Sequence, residues 1–148
     1  PRVRRQRQMC IRDRDKDGIA YKEYAIADTN EVQSVTTAAA GECDVLYIPT
    51  DNTLASVTET VYNVVAPAKI PVIAGEEGIC NGCGVATLSI SYYDLGYATG
   101  EMAYEILAEG ADITTMDVRY APNVTKKYNA KICEELGITV PDDYVAIQ

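Results

Sequence analysis

Two short apolar runs, "DVLYIPT" at 44–50 and "IPVIAGEE" at 70–77, flank a stretch whose apolar residues recur every three or four positions. That succession constrains the fold more than any other feature. An apolar run without polar alternation suits a strand buried on both faces, and such strands belong to parallel sheets. Between them, "NTLASVTETVYNVVAPAK" predicts a helix with Leu54, Val57, Val61, Val64 and Val65 on one face and Pro67 near its end. Two strands joined in this way form a βαβ unit.

The same alternation extends along the chain. "IAYKEYAIA" (19–27) reads as a β-like run. "DTNEVQSVTTAAAG" predicts a helix with Asp28 as N-cap and Glu31 completing a capping box. Its apolar face carries Val32, Val35 and Ala39. "VATLSIS" (85–91) is a third buried strand. "YYDLGYATGEMAYEILAEG" predicts a helix presenting Leu95, Thr99, Met102, Ala103 and Ile106, with Gly110 as its stop. "MDVRYAP" is read as a short strand and "NVTKKYNAKICEELG" as a helix carrying Tyr128, Ile132 and Leu136, closed by Gly137. "ITVPDDYVAIQ" is read as a tail. The expected fold class is α/β, a mainly parallel sheet flanked by helices on both faces.

Charge narrows the function classes. The chain carries a formal net charge of −9, unevenly distributed. Residues 1–14 hold six of the 13 basic residues and one acid, leaving 7 basic and 21 acidic residues beyond them. A body this acidic repels phosphate backbones, so nucleic acid is not expected as a partner. The basic opening "RRQRQMCIRDR" has its own explanation. Back-translated, Arg4–Asp13 reproduces a transposase-type sequencing adapter read in frame, so residues 1–14 are expected to be adapter translation without structure. Residues 15–148 are then expected to be a C-terminal portion of a longer protein. No apolar run approaches the roughly 20 residues of a membrane-spanning helix.

In parallel α/β sheets ligands bind beyond the carboxyl ends of the strands, so the turns after the strands hold the candidate site residues. Thr50, Asp51 and Asn52 follow the 44–50 strand and open a helix, where free N–H groups favour an anionic group. Asp51 or Asn52 is equally suited to capping that helix. Glu76, between glycines after the 70–74 strand, could accept hydrogen bonds from an ammonium or simply lie in a solvated acidic turn. Ser91 and Tyr92 follow the third strand, and Tyr92 is the ring best placed to stack on a ligand. Gly96 and Gly100 suggest close packing of that helix against a neighbour.

Cys80 and Cys83 form a CxxC within what reads as a glycine-rich turn. With no His in the chain, a zinc site is not expected. A thioredoxin-like dithiol would open a helix, so structural thiols or a local disulfide fit better. Cys43 and Cys133 sit in apolar contexts and read as small buried hydrophobes. No catalytic constellation, metal or cofactor is expected.

From about Gly18 onward the chain resembles the C-terminal part of an ABC-transporter substrate-binding protein of the tryptophan/tyrosine-binding type, within the periplasmic binding protein type I fold. "DVLYIPTDNTLAS", "KIPVIAGEEG", "GVATLSISYYDLGYATGEMAYEIL" and "YNAKICEELGITVP" carry the resemblance. It implies two α/β lobes joined by a three-strand hinge and closing over a small molecule, with Thr50, Asp51, Asn52 and Glu76 on the binding face. Ser91 and Tyr92 would lie near the last hinge crossing. It further implies a small molecule, an aromatic amino acid, as ligand, an ABC permease in the membrane as partner and an extracytoplasmic location, periplasmic or lipid-anchored. The helix from about Asp94 to Glu109 would pack on the N-terminal lobe and so expose an apolar face here. Two rival readings are the effector-binding domain of a LacI-type regulator, which shares the fold, and a redox enzyme using Cys80 and Cys83.

Overall fold

In a computed structural model, which describes residues 18–147, five strands form one sheet in the order β1-β2-β3-β4-β5. The basic opening read as adapter translation, residues 1–14, lies outside the described residues. Strands β1 (Leu46–Ile48), β2 (Val72–Ala74) and β3 (Ala86–Ile90) run parallel to one another. They are the three buried runs expected from sequence. β4 (Val124–Tyr128) is antiparallel to β3, and the two-residue β5 (Val145–Ala146) is parallel to β4.

Helices α1 (Val32–Ala40), α3 (Thr58–Ala68) and α4 (Glu77–Cys83) pack on one face of β1–β3. The core they enclose joins Val32, Val61, Val65, Ile79, Cys80 and Cys83 to Ile48, Val72 and Ala74. Ile79 and Val32 are wholly buried. The expectation of helices on both faces is corrected for these three. Right-handed crossovers that step the same way along a sheet place successive helices on the same side. A smaller cluster of Val85, Ile132 and Cys133 brings in α6 (Ala130–Leu136), whose Glu135 accepts from the Tyr62 hydroxyl of α3 at 2.6 Å.

Local signals specify most helix ends. Asp28 accepts from the Asn30 N–H ahead of a 3-10 turn (Thr29–Glu31), while the Glu31 carboxylate takes the Ala27 N–H at 3.0 Å. The expected capping box thus forms one residue out of register. The single helix read over residues 52–69 is instead two, α2 (Asn52–Ala55) and α3, broken at Ser56–Val57. Pro67 sits in the last turn of α3, and Lys69 ends it at φ 55°.

Five other expectations are corrected. Residues 19–27 form no strand, and neither does "MDVRYAP". The segment read as one helix from Asn123 splits into β4 and α6. Val124, Thr125 and Tyr128 favour a strand, and the Asn129 side chain then caps a new helix through the Ile132 N–H. The supposed tail supplies β5, and the glycine-rich turn after β2 is the helix α4.

The helix α5 (Tyr92–Leu107) buries no residue. Tyr93 is 81% exposed and Leu107 85%, but on the face expected to be bare Leu95, Met102 and Ile106 are half-buried and only Thr99 and Ala103 are exposed. A Cβ at Gly96 or Gly100 would meet nothing within 4 Å, so the close packing inferred for these glycines is absent among the described residues.

Replacing Ile79 by Ala opens a cavity against β2 and α3. We expect a loss of about 3–4 kcal/mol in urea unfolding, with little change in the denaturant slope.

Candidate functional site

The strand-end turns are built by close backbone contact. The Gly75 N–H donates to the Ile48 carbonyl at 2.7 Å, and the Thr50 hydroxyl donates to the Gly75 carbonyl at 3.2 Å. A Cβ on Gly75 would lie 2.6 Å from the Thr50 backbone nitrogen, closer than any side chain tolerates. Ile48 pairs with Ala74, so Thr50 and Glu76, each two residues further, stand level at the ends of β1 and β2.

The candidate residues then divide by what their side chains do. Asp51 caps α2, accepting the Leu54 N–H through Oδ1 at 3.0 Å. Glu76 caps α4 with both oxygens: Gly78 N–H donates to Oε2 at 2.8 Å, and Ile79 N–H donates to Oε1. Ser91 caps α5 through the Asp94 N–H at 3.1 Å. All three therefore do the work that capping predicts for Asp, Glu and Ser at helix starts. Asn52 is the first residue of α2 and is exposed; Tyr92 is 64% exposed.

Thr50, Asp51, Asn52 and Glu76 are brought together by the Gly75 contact. Ser91 and Tyr92 are not. Ala74 is level with Thr87, so Ser91 stands two residues further along its strand than Glu76 along its own. That is roughly 7 Å at the usual rise of a strand.

Sequence reasoning passed over a second set of residues that fixes this end of the sheet. Glu77 of α4 accepts from the Ser89 hydroxyl of β3 at 2.9 Å and from the Lys127 ammonium of β4 at 2.7 Å. One carboxylate thus ties a helix start to two strands. The Lys127 ammonium, and after it the Ser89 hydroxyl, hold the Glu77 carboxyl below its ordinary range. The signal was hidden because Lys127 was assigned to a helix. The hydroxyl of Thr87, two residues before Ser89, is buried without a hydrogen-bond partner among the described residues.

Between α5 and residues 119–123 lies an open cleft of about 410 Å³ lined by Asp94, Tyr97, Glu101, Arg119, Tyr120 and Asn123. One Arg119 nitrogen donates to both oxygens of Glu105, at 2.8 and 2.6 Å. The cleft lies alongside α5, away from the turns after β1 and β2.

The cysteines are structural in their environment. Cys80 and Cys83 are buried and unbridged, in the middle and at the last residue of α4 and not at its start. Burial pushes both thiols up to about 12, and neighbouring Cys133 adds to the effect on Cys80. Thiols held this far from ionisation are poor nucleophiles, which removes the basis of the redox reading. No cluster of three or more metal-ligating side chains exists among the described residues.

Comparison with known proteins gives this geometry a context. A family model described as ABC transporter substrate binding protein matches residues 2–147. A tyrosine-binding protein of Clostridioides difficile (strain R20291) is 38% identical over 107 residues, covering 69% of this chain and 31% of that protein. The ligand-free, open structure of a Clostridium difficile substrate-binding protein with adhesive properties is 34% identical, with a TM-score of 0.74. It matches 99% of this chain, which spans 51% of that one. An ABC domain from Streptococcus pneumonia in complex with L-Trp is 31% identical, with a TM-score of 0.80, over 95% of this chain and 47% of that one. The chain thus spans about half the length of the solved structures and less than a third of the curated relative.

A carboxylate whose pKa is depressed in the fold stabilises it above the ordinary carboxyl range. That stability is lost as pH falls through the depressed value. We expect thermal stability between pH 6 and pH 3 to fall less steeply in Lys127→Met than in the parent, as melting curves across that range would show.

Proposed function

The chain belongs to the family of ABC transporter substrate-binding proteins, and from that premise we propose that its strand-end turns form half of a cleft that captures a free amino acid for delivery to a membrane permease. One observation carries the reading most: the Gly75 contact holds Thr50 and Glu76 level at the ends of two parallel strands, with Asp51 and Asn52 directly after Thr50, where α/β sheets bind ligands. The tyrosine-binding relative and the L-Trp complex support an aromatic amino acid as the ligand.

A zwitterion needs an acceptor for its ammonium and donors for its carboxylate. Both Glu76 oxygens already accept backbone N–H groups, whereas Asp51 caps through Oδ1 alone. Asp51 is therefore the acceptor and Glu76 the residue that shapes the turn. The helix beginning at Asn52 has only four residues, so its dipole is weak. The Asn52 side-chain amide and the exposed Thr50 hydroxyl are then the better donors. Tyr92, which lies beyond the level of Glu76 at the end of β3, is the ring offered to the ligand's aromatic side chain, with stacking contributing roughly 0.5–1.5 kcal/mol beyond burial. An opposing lobe, a permease partner and an extracytoplasmic location belong to this reading. The family match favours it over a transcription regulator.

The test is calorimetry on the whole natural polypeptide with L-Trp, L-Tyr and N-acetyl-L-Tyr. We expect binding of a free aromatic amino acid, none of the N-acetylated one, and at least a roughly tenfold weaker Kd in Asp51→Ala, a change of about 1.4 kcal/mol. The 148-residue chain alone should bind weakly or not at all. Equal binding by Asp51→Ala and the parent would overturn the assignment.

A further inference from the structure

The sheet narrows to two strands beyond the level of the candidate site. β2 pairs with β3 only through Ile73–Ala86 and Ala74–Thr87, and β5 pairs with β4 only at Lys127 and Tyr128. β3 and β4 pair on past that level, through Leu88–Lys126, Ser89–Thr125 and Ile90–Val124. Residues 88–90 and 124–126 thus form a two-stranded ribbon that projects from the sheet. Such a ribbon is marginally stable by itself in water.

α5 is mounted on the tip of this ribbon. Ser91, directly after Ile90, caps the helix, and Asn123, directly before Val124, donates to the Asp94 carboxylate at 3.4 Å. Tyr92, the first residue of α5, therefore takes its position from the ribbon, while Asp51 and Glu76 take theirs from the turns after β1 and β2.

Glu77 joins the two parts. By the Ala74–Thr87 pairing, Ser89 is level with Glu76. One oxygen of Glu77, Oε2, accepts from the Ser89 hydroxyl within the ribbon and from the Lys127 ammonium at its root. Both strands are thereby fixed to the start of α4. Lys126, on the opposite face of β4, pairs with Asp143, but both side chains of that pair are more open to solvent than Lys127 and Glu77. Screening by water leaves the more open pair the weaker anchor. Thr87 lies directly across from Lys127, with its buried hydroxyl outside this link and without a partner among the described residues.

We propose that Glu77 is a positioning residue for amino-acid capture: its bonds to Ser89 and Lys127 set the angle of the ribbon, and hence the place of Tyr92 relative to Asp51. The role in capture rests on the amino-acid reading of the site, whereas the anchoring needs no ligand.

The test uses the whole natural polypeptide, with hydrogen exchange measured without ligand and calorimetry with L-Trp and L-Tyr. In Glu77→Ala and in Lys127→Met, amides of 88–90 and 124–126 should exchange at least roughly tenfold faster, with those of β1 and β2 unchanged. Kd should weaken roughly three- to tenfold, and no more than in Tyr92→Ala. In a Tyr92→Ala background the same substitutions should cost less than about twofold, because the ring they place is gone. Glu77→Gln, which can still accept from Ser89, should lose less than Glu77→Ala. Thr87→Val, which changes the same face without touching the link, should leave exchange and Kd as in the parent. The proposal is overturned by unchanged ribbon exchange in both Glu77→Ala and Lys127→Met. Equal losses of affinity with and without Tyr92, or Thr87→Val reproducing those losses, would overturn it as well. Faster ribbon exchange in a protein that binds neither amino acid would bear out the anchor and overturn the amino-acid reading instead.

Discussion

The architecture of the candidate site depends on one steric constraint, the approach of Gly75 to the backbone at Pro49 and Thr50. With no Cβ, residue 75 lets its N–H reach the Ile48 carbonyl and its own carbonyl receive the Thr50 hydroxyl. Any side chain there meets backbone atoms that cannot rotate away. Two strand ends are thereby clamped side by side, and every residue that follows them inherits its position from the clamp. α2 starts two residues after Thr50 and α4 two residues after Gly75, so the clamp also sets where both helices begin.

The polar residues at the strand ends serve the backbone first. Asp51, Glu76 and Ser91 each satisfy N–H groups that a helix start leaves unpaired. Glu77, next to Glu76, reaches the other way to Ser89 and Lys127. Adjacent carboxylates in one turn thus fix the same helix from two directions, one through its own amides and one through the sheet. The arrangement leaves a single Asp51 oxygen outside the caps, and this distinguishes a residue that shapes the pocket from one able to meet a solute.

The molecule is unevenly completed. One face of the sheet carries a dense core of Val, Ile and Cys, while the other shows apolar side chains to solvent. Along α5, a 16-residue helix with tyrosines on its surface buries nothing. The chain spans about half the length of each solved relative.

Burial and periodicity made the three parallel strands, α1, α3 and α5 legible in the sequence, because a buried strand and an amphipathic helix each leave a local pattern. Caps at Asp28, Asp51 and Gly137 were readable for the same reason: their function is completed within a few residues. The family, too, followed from the order of those local segments. What failed was non-local. The strand at 124–128 looked helical because Tyr128, Ile132 and Leu136 share helical spacing, and only pairing with β3 draws Val124–Tyr128 into the sheet. Residues 19–27 have the composition of a strand, yet a strand exists only where an edge is offered to it. The Gly75 clamp, the Glu77–Lys127 link across 50 residues and the bare face of the sheet are likewise invisible in sequence. Each is decided by which distant segments meet, and the side-chain pattern of one segment does not encode the geometry of another.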